Sequence, residues 1–181
     1  MLLGNYFDGI HKNYKKLFFS GISFNTGSLK KNNIFFAIKG NSIDGNKFIS
    51  KAIEKGSKII VTEQKIKDYR NGILIIRTKN IRKLLAEVSF KIYNKIPKNL
   101  VAVTGTNGKS SVAEFYLQIM QLNKKKVASI GTLGVKSKNI NLSLFNTTTD
   151  PINLGQILQK LKKEKVNNVI MEASSHGLKQ Y

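Results

Sequence analysis

Two glycines, a lysine and a pair of serines crowd one short stretch of this chain: Gly105, Thr106, Asn107, Gly108, Lys109, Ser110 and Ser111. Glycines let backbone N–H groups come close to an anion, and a helix starting here would aim its N-terminal dipole at the same point. Lys109 would bring a point charge to terminal phosphates, and the Ser110 hydroxyl a ligand for Mg²⁺. Together these groups describe a phosphate cradle, read here as an ATP site. The eight-residue phosphate-loop pattern calls for Gly at position 103, where this chain has Val103, so the loop is a short variant. The alternative is an ordinary glycine-containing turn between a strand and a helix.

Outside the loop, Glu172 is the sharpest single residue. It follows Val169, Ile170 and Met171, and a carboxylate at the end of an apolar run is costly unless paired or metal-bound. Beside a phosphate loop, Mg²⁺ is its natural partner; a structural ion pair with one of the 31 cationic side chains is the alternative. His176 lies four residues on, suited either to orienting substrate or to a hydrogen-bonded turn. Thr147 and Thr148 offer hydroxyls to a polar ligand, or cap a helix.

The elements that must carry these residues alternate between strand and helix. Leu100 to Val103 reads as a buried strand feeding the loop, and Val112, Phe115, Tyr116, Ile119 and Met120 recur at helical spacing after it. Val127 to Ile130 is a second strand ending at Gly131, and Val169 to Ala173 a third. Between them, 136–146 is polar and fits a hairpin or a loop. Asp150 and Pro151 then suit the N-cap and first position of a helix with its apolar stripe at Leu154, Ile157, Leu158 and Leu161. Ligands gather at the carboxyl ends of strands in a parallel sheet, so the loop, the turn at Gly131 and Thr132, and the 172–177 segment are expected at one edge.

Ahead of this lies a small mixed α/β unit. Its strands are expected at 34–38, 58–62 and 73–77, with a short helix marked by Phe48, Ile49, Ala52 and Ile53. A longer helix carries Ile81, Leu84, Leu85, Val88 and Ile92. The first twenty residues are weakly patterned, with a short helix possible around Tyr14, Leu17 and Phe18. Pro97 punctuates the chain, which gives two domains, 1–97 and 98–181. The fold class is α/β: a small mixed domain, then the first part of a phosphate-loop, parallel-sheet ATPase domain.

Composition sets outer limits. The 181 residues contain no Cys and only two His, which excludes disulfides, thiolate metal sites and a His-rich zinc site. The 31 Lys and Arg against 10 Asp and Glu give a net charge of +21. Nucleic-acid binding would require a patch or stripe, whereas these lysines are spread along the chain, so no nucleic-acid partner is expected. No run approaches the ~20 apolar residues of a membrane span, and no signal peptide is visible. A cytoplasmic monomer with no membrane partner is the expectation.

Three groups of residues, Thr104 to Ser110, Asn146 to Thr148 and Met171 to Leu178, together resemble the Mur ligases of peptidoglycan synthesis. Ile34 to Gly40, followed by Asp44 and Gly45, is similar to the family's N-terminal, UDP-recognising domain. The segment around Glu172 and His176 resembles the member that adds the third residue of the stem peptide. The resemblance implies an ATP-dependent amide ligase joining a diamino acid to UDP-MurNAc-L-Ala-D-Glu, with ATP held by Gly105 to Ser111 and Mg²⁺ by Ser110 and Glu172. Lys109 and Glu172 would act in catalysis. Asn146, Thr147, Thr148, Ser174 and Gln180 would contact the muramoyl dipeptide, and Phe24, Thr26, Asn41, Ser42 and Ile43 the uridine end. The family usually has Asp-Ser-Arg where this chain has Asn25, Thr26 and Gly27, has Thr where the loop hydroxyl is Ser110, and has Pro directly after the threonine pair, which here waits until Pro151. Mur ligases have three domains, so the resemblance further implies a piece of a longer protein, inactive by itself.

Overall fold

The computed structural model describes residues 1–40, 43–66, 72–144 and 149–174. The chain divides into two compact units, Met1–Ile92 and Tyr93–Tyr181.

In the first unit, β1 (Gly21–Ser23), β2 (Asn33–Phe36), β3 (Ile59–Thr62) and β4 (Leu74–Arg77) lie side by side in chain order, and every pair is parallel. All residues of β2 and β3 are buried, which is why these strands read as unbroken apolar runs rather than alternating ones. Phe35, Ala37 and Ile60 pack with Leu29 and with Ile49 and Ala52 of α1 (Ile49–Glu54). Ile34, Phe36 and Val61 point the other way by the period of two, and the Phe36 ring stacks on Phe7 at 6.4 Å. Helix α2 (Ile81–Ile92) buries Ile81, Leu85 and Val88.

The short helix expected around Tyr14, Leu17 and Phe18 does not form. The amino-terminal segment makes two single 3₁₀ turns, Leu3–Asn5 and Lys12–Tyr14, and then Phe18 bridges Leu2 in extended conformation. Extended chain sends neighbours to opposite sides, so Phe18 is 62% exposed while Phe19 is fully buried.

The second unit holds β5 (Asn99–Val103), α3 (Lys109–Leu122), β6 (Val127–Gly131), β7 (Gly134–Ser137), β8 (Asn141–Leu142), α4 (Pro151–Lys163) and β9 (Asn168–Glu172). The sheet order is β5-β9-β6-β7-β8, with the first three strands parallel and the last two antiparallel. The polar stretch after Gly134 is thus a hairpin flanking the parallel core. Helix α4 begins as its sequence predicts: one Asp150 carboxyl oxygen accepts the N–H groups of Ile152 and Asn153, both at 3.0 Å, with Pro151 in the first turn. Among the described residues no helix is long and apolar enough to cross a membrane.

Two expectations for this unit are corrected. Strand β5 is not buried: among the described residues it lies at the edge of its sheet, with Leu100 and Val101 40% and 39% exposed. The apolar stripe expected on α3 is rotated: Val112, Phe115 and Ile119 are exposed, Tyr116 and Met120 are half-buried, and the buried positions are Ala113 and Leu117. Ser110, Ala113 and Leu117 are spaced by three and four, hence on one helix face. Ser110 is bonded to Glu172 of β9, so that contact fixes the rotation of α3 about its axis and brings Ala113 and Leu117 against the sheet.

Candidate functional site

Parallel strands β5, β9 and β6 deliver their carboxyl ends to one edge, in that order. From β5 comes the loop 104–108, from β9 come Glu172 and Ser174, and from β6 the turn at Gly131 and Thr132. The register pairs Val103 with Glu172 and Ile130 with Met171, so Glu172 sits at the middle of this edge, level with both neighbours.

The loop takes its shape from its glycines. Gly108, immediately before α3, has φ +79°, and Gly105 has φ +151°, both conformations that L side chains rarely adopt. The first N–H groups of α3 have no intrahelical acceptor, and Gly108 supplies no capping side chain. These donors and the positive end of the helix face the cleft. Lys109 curls back over the loop, its ammonium donating to the carbonyls of Gly105 at 2.6 Å and Thr106 at 3.3 Å. Thr106, Asn107, Gly108, Lys109, Ser110 and Ser111 line a cleft of about 300 Å³ with Thr132, Glu172 and Ser174.

Glu172 is 4% exposed. Its Oε2 accepts from the Ser110 hydroxyl at 2.9 Å and the Thr132 hydroxyl at 3.2 Å, and its Oε1 accepts the Thr132 N–H at 3.1 Å. The ion pairs among the described residues, Lys83 with Glu87, Lys91 with Asp8 and Lys136 with Glu114, do not include it. Space for the carboxylate comes from Gly131, where an added Cβ would lie 2.5 Å from Cδ and 2.6 Å from Cγ of Glu172.

The donor set fits Mg²⁺. A carboxylate and a hydroxyl, both oxygen donors, stand in contact in the lining of the cleft. That ion is usually held by one or two carboxylates plus substrate phosphates and water, so a larger cage is not required.

The sequence places the turn at Gly131 and Thr132 at this edge but assigns Thr132 no role, although it donates to both oxygens of Glu172. The signal available was a Gly-Thr pair ending an apolar strand. Asn146, Thr147, Thr148, His176 and Gln180 lie outside the described residues, as do Asn41 and Ser42.

In the first unit, Phe24 and Thr26 follow β1, and Ile43 follows β2. These strands are parallel neighbours, so both segments leave the same sheet edge. Phe24 and Ile43 are 38% and 63% exposed, apolar surface available to a flat ring. Asn25, Thr26 and Gly27 form a tight turn in which the Asn25 side chain accepts the Gly27 N–H at 2.7 Å. Lys55 fastens that turn by donating to the Thr26 carbonyl at 2.6 Å. Across the edge, Asp44 accepts both the backbone and side-chain N–H of Asn46, which holds its carboxyl below the usual carboxylate range, with Lys39 and Lys47 adding to the shift. Asn46 in turn accepts from Thr62 at the end of β3 at 2.7 Å.

Known proteins carry both units. Residues 19–97 match the profile described as Mur ligase family, catalytic domain, and residues 103–181 the Mur ligase middle domain. UDP-N-acetylmuramoyl-L-alanyl-D-glutamate--2,6-diaminopimelate ligase of Rickettsia typhi is 39% identical over 94% of this chain and 35% of its own length. The protein of the same name from Rickettsia bellii is 43% identical over 88% of this chain and 33% of its own, and that of Zymomonas mobilis 38% over 89% and 33%. The chain thus spans about a third of the length of the curated relatives it matches. A solved structure of a ligase with that name superposes with TM-score 0.78 at 23% identity, over 94% of this chain and 35% of the other. The MurF ligase of Thermotoga maritima, solved in complex with ADP, superposes with TM-score 0.54 at 22% identity, over 85% and 32%. At those identities the structures speak for a common fold. Two family profiles, one for each unit, and relatives near two-fifths identity over nearly the whole of its length lead to one conclusion: the chain belongs to the Mur ligase family and carries its N-terminal and middle domains.

Proposed function

We propose that the protein is an ATP-dependent amide ligase of peptidoglycan precursor synthesis, joining a diamino acid to UDP-MurNAc-L-Ala-D-Glu through an acyl phosphate. The observation that carries the reading is the convergence of the glycine loop, Lys109, Ser110 and Glu172 on one cleft. The curated relatives are named for 2,6-diaminopimelate, which makes that diamino acid the first amine to test.

In this reading the γ-phosphoryl group of ATP passes to the side-chain carboxylate of D-glutamate and ADP leaves. The amine then attacks the acyl carbon and phosphate departs. Little covalent chemistry falls to the protein, whose work is positioning and charge neutralisation. Backbone N–H groups from Gly105 to Ser111 cradle the phosphates. Lys109 exchanges its two loop carbonyls for phosphate oxygens and follows the charge as it shifts. Ser110 and Glu172 would hold Mg²⁺, which when bound neutralises charge on the transferring phosphates. Asn146, Thr147, Thr148, Ser174 and Gln180 contact the muramoyl dipeptide. Phe24, Thr26, Asn41, Ser42 and Ile43 take the uridine end, with Phe24 and Ile43 offering the apolar surface. We take the protein to act as a cytoplasmic monomer, with neither nucleic acid nor membrane as partner.

The test is to incubate the complete protein with ATP, Mg²⁺, UDP-MurNAc-L-Ala-D-Glu and each of several diamino acids. The expected result is phosphate release matched by a mass increase of the UDP-linked substrate with one amine. No ligation with any amine, or ligation without ATP, overturns the proposal.

A further inference from the structure

Glu172 is held from two directions. The Ser110 hydroxyl reaches it from the loop side, at the start of α3, in the part of the site that must rearrange when phosphates enter. Thr132 reaches it from the end of β6, at the far side of the carboxylate. Its backbone N–H donates to Oε1 at 3.1 Å and its hydroxyl to Oε2 at 3.2 Å. One residue therefore grips both oxygens, and two donors on two oxygens fix the plane of the carboxylate as well as its position. A single donor would leave it free to turn about its last bond.

The strand register makes this clamp independent of the loop. Ile130 pairs with Met171, so the residues that follow each, Gly131 and Glu172, lie abreast, and Thr132 comes directly over the carboxylate. Gly131, lacking a Cβ, lets the carboxylate lie against the β6 backbone within reach of the next N–H. Side chains that hydrogen-bond a metal ligand set its orientation, and losing one typically costs 10–100-fold in metal affinity.

We propose that Thr132 is a positioning residue for the cation site: it clamps Glu172 so that the carboxylate already faces the cleft before a nucleotide or cation arrives. The inference rests on the reading that Glu172 and Ser110 hold Mg²⁺.

Thr132 is itself exposed, so Thr132→Val removes the hydroxyl, keeps the shape and the N–H, and disturbs no core. Thr132→Ser keeps the hydroxyl. The experiment measures Mn²⁺ binding by electron paramagnetic resonance in the complete protein with ADP present, with thermal melting recorded alongside. The wild type and Thr132→Ser should agree within about twofold, and Thr132→Val should bind Mn²⁺ about tenfold more weakly at a temperature where all three are folded. A purely structural role would lower the melting temperature and leave Mn²⁺ affinity alone. Equal or tighter Mn²⁺ binding by Thr132→Val overturns the proposal, tighter binding meaning that the hydroxyl competes with the cation for Oε2. If neither the wild type nor any variant binds Mn²⁺ with ADP, the cation reading of Glu172 falls and the clamp falls with it, a pattern distinct from the first.

Discussion

Replacing Gly131 with alanine should be far more damaging than its place at the end of a strand suggests. The added Cβ would lie 2.5 Å from Cδ and 2.6 Å from Cγ of Glu172. The backbone has little room to retreat, because β6 is bonded to β9 on one side and to β7 on the other. The side chain must therefore move, giving up some of its three hydrogen bonds. Bonds to a charged group contribute about 1.5–3 kcal/mol net each, and overpacking alone costs about 1–3 kcal/mol. With part of the network surviving, a loss of about 3 kcal/mol is expected for the second unit. The chain has no Trp, so urea unfolding followed by circular dichroism is the suitable assay. The decisive measurement is a double-mutant cycle with Glu172→Ala, which removes the atoms that collide. In that background Gly131→Ala should cost under about 1 kcal/mol, leaving a coupling of about 2 kcal/mol or more. Additivity within about 0.5 kcal/mol would refute the argument that Gly131 exists to make room for Glu172.

Three other outcomes follow from the same geometry. Lys109→Ala in the complete protein should lower ATP-dependent turnover by at least ~10²-fold, the scale of lost transition-state electrostatics, and near-normal turnover would remove this loop from the mechanism. Asp150→Ala takes away the acceptor for two N–H groups of α4 and should cost about 1 kcal/mol in urea unfolding; no change would mean that solvent caps the helix equally well. The Asp44 carboxyl, held down by its bonds from Asn46, should titrate below the usual carboxylate value in NMR. The stability it lends is thus present above the unfolded value and lost as pH falls through the lowered folded one, so a midpoint at or above the ordinary value would contradict the structure.

What was legible in the sequence was whatever is local along it. The phosphate cradle is contiguous from Gly105 to Ser111, and the Asp150 and Pro151 helix start needs only its own turn. Buried strands such as β2 and β3 announce themselves because both faces are covered. Two features were not local, and both were misread or missed. Leu100 to Val103 is as apolar as a central strand, and only the pairing order shows that β5 lies at the edge of the sheet the described residues form. Periodicity on α3 marked Val112, Phe115 and Ile119, yet Ala113 and Leu117 are the buried positions, on the face that carries the Ser110 bond to Glu172. That contact spans 62 residues, and it exists only because β9 inserts between β5 and β6. The same insertion places Thr132 beside a carboxylate 40 residues away. Strand order is thus where the chemistry of this site is decided: the sequence names the groups, and the slot between two parallel strands determines which of them meet.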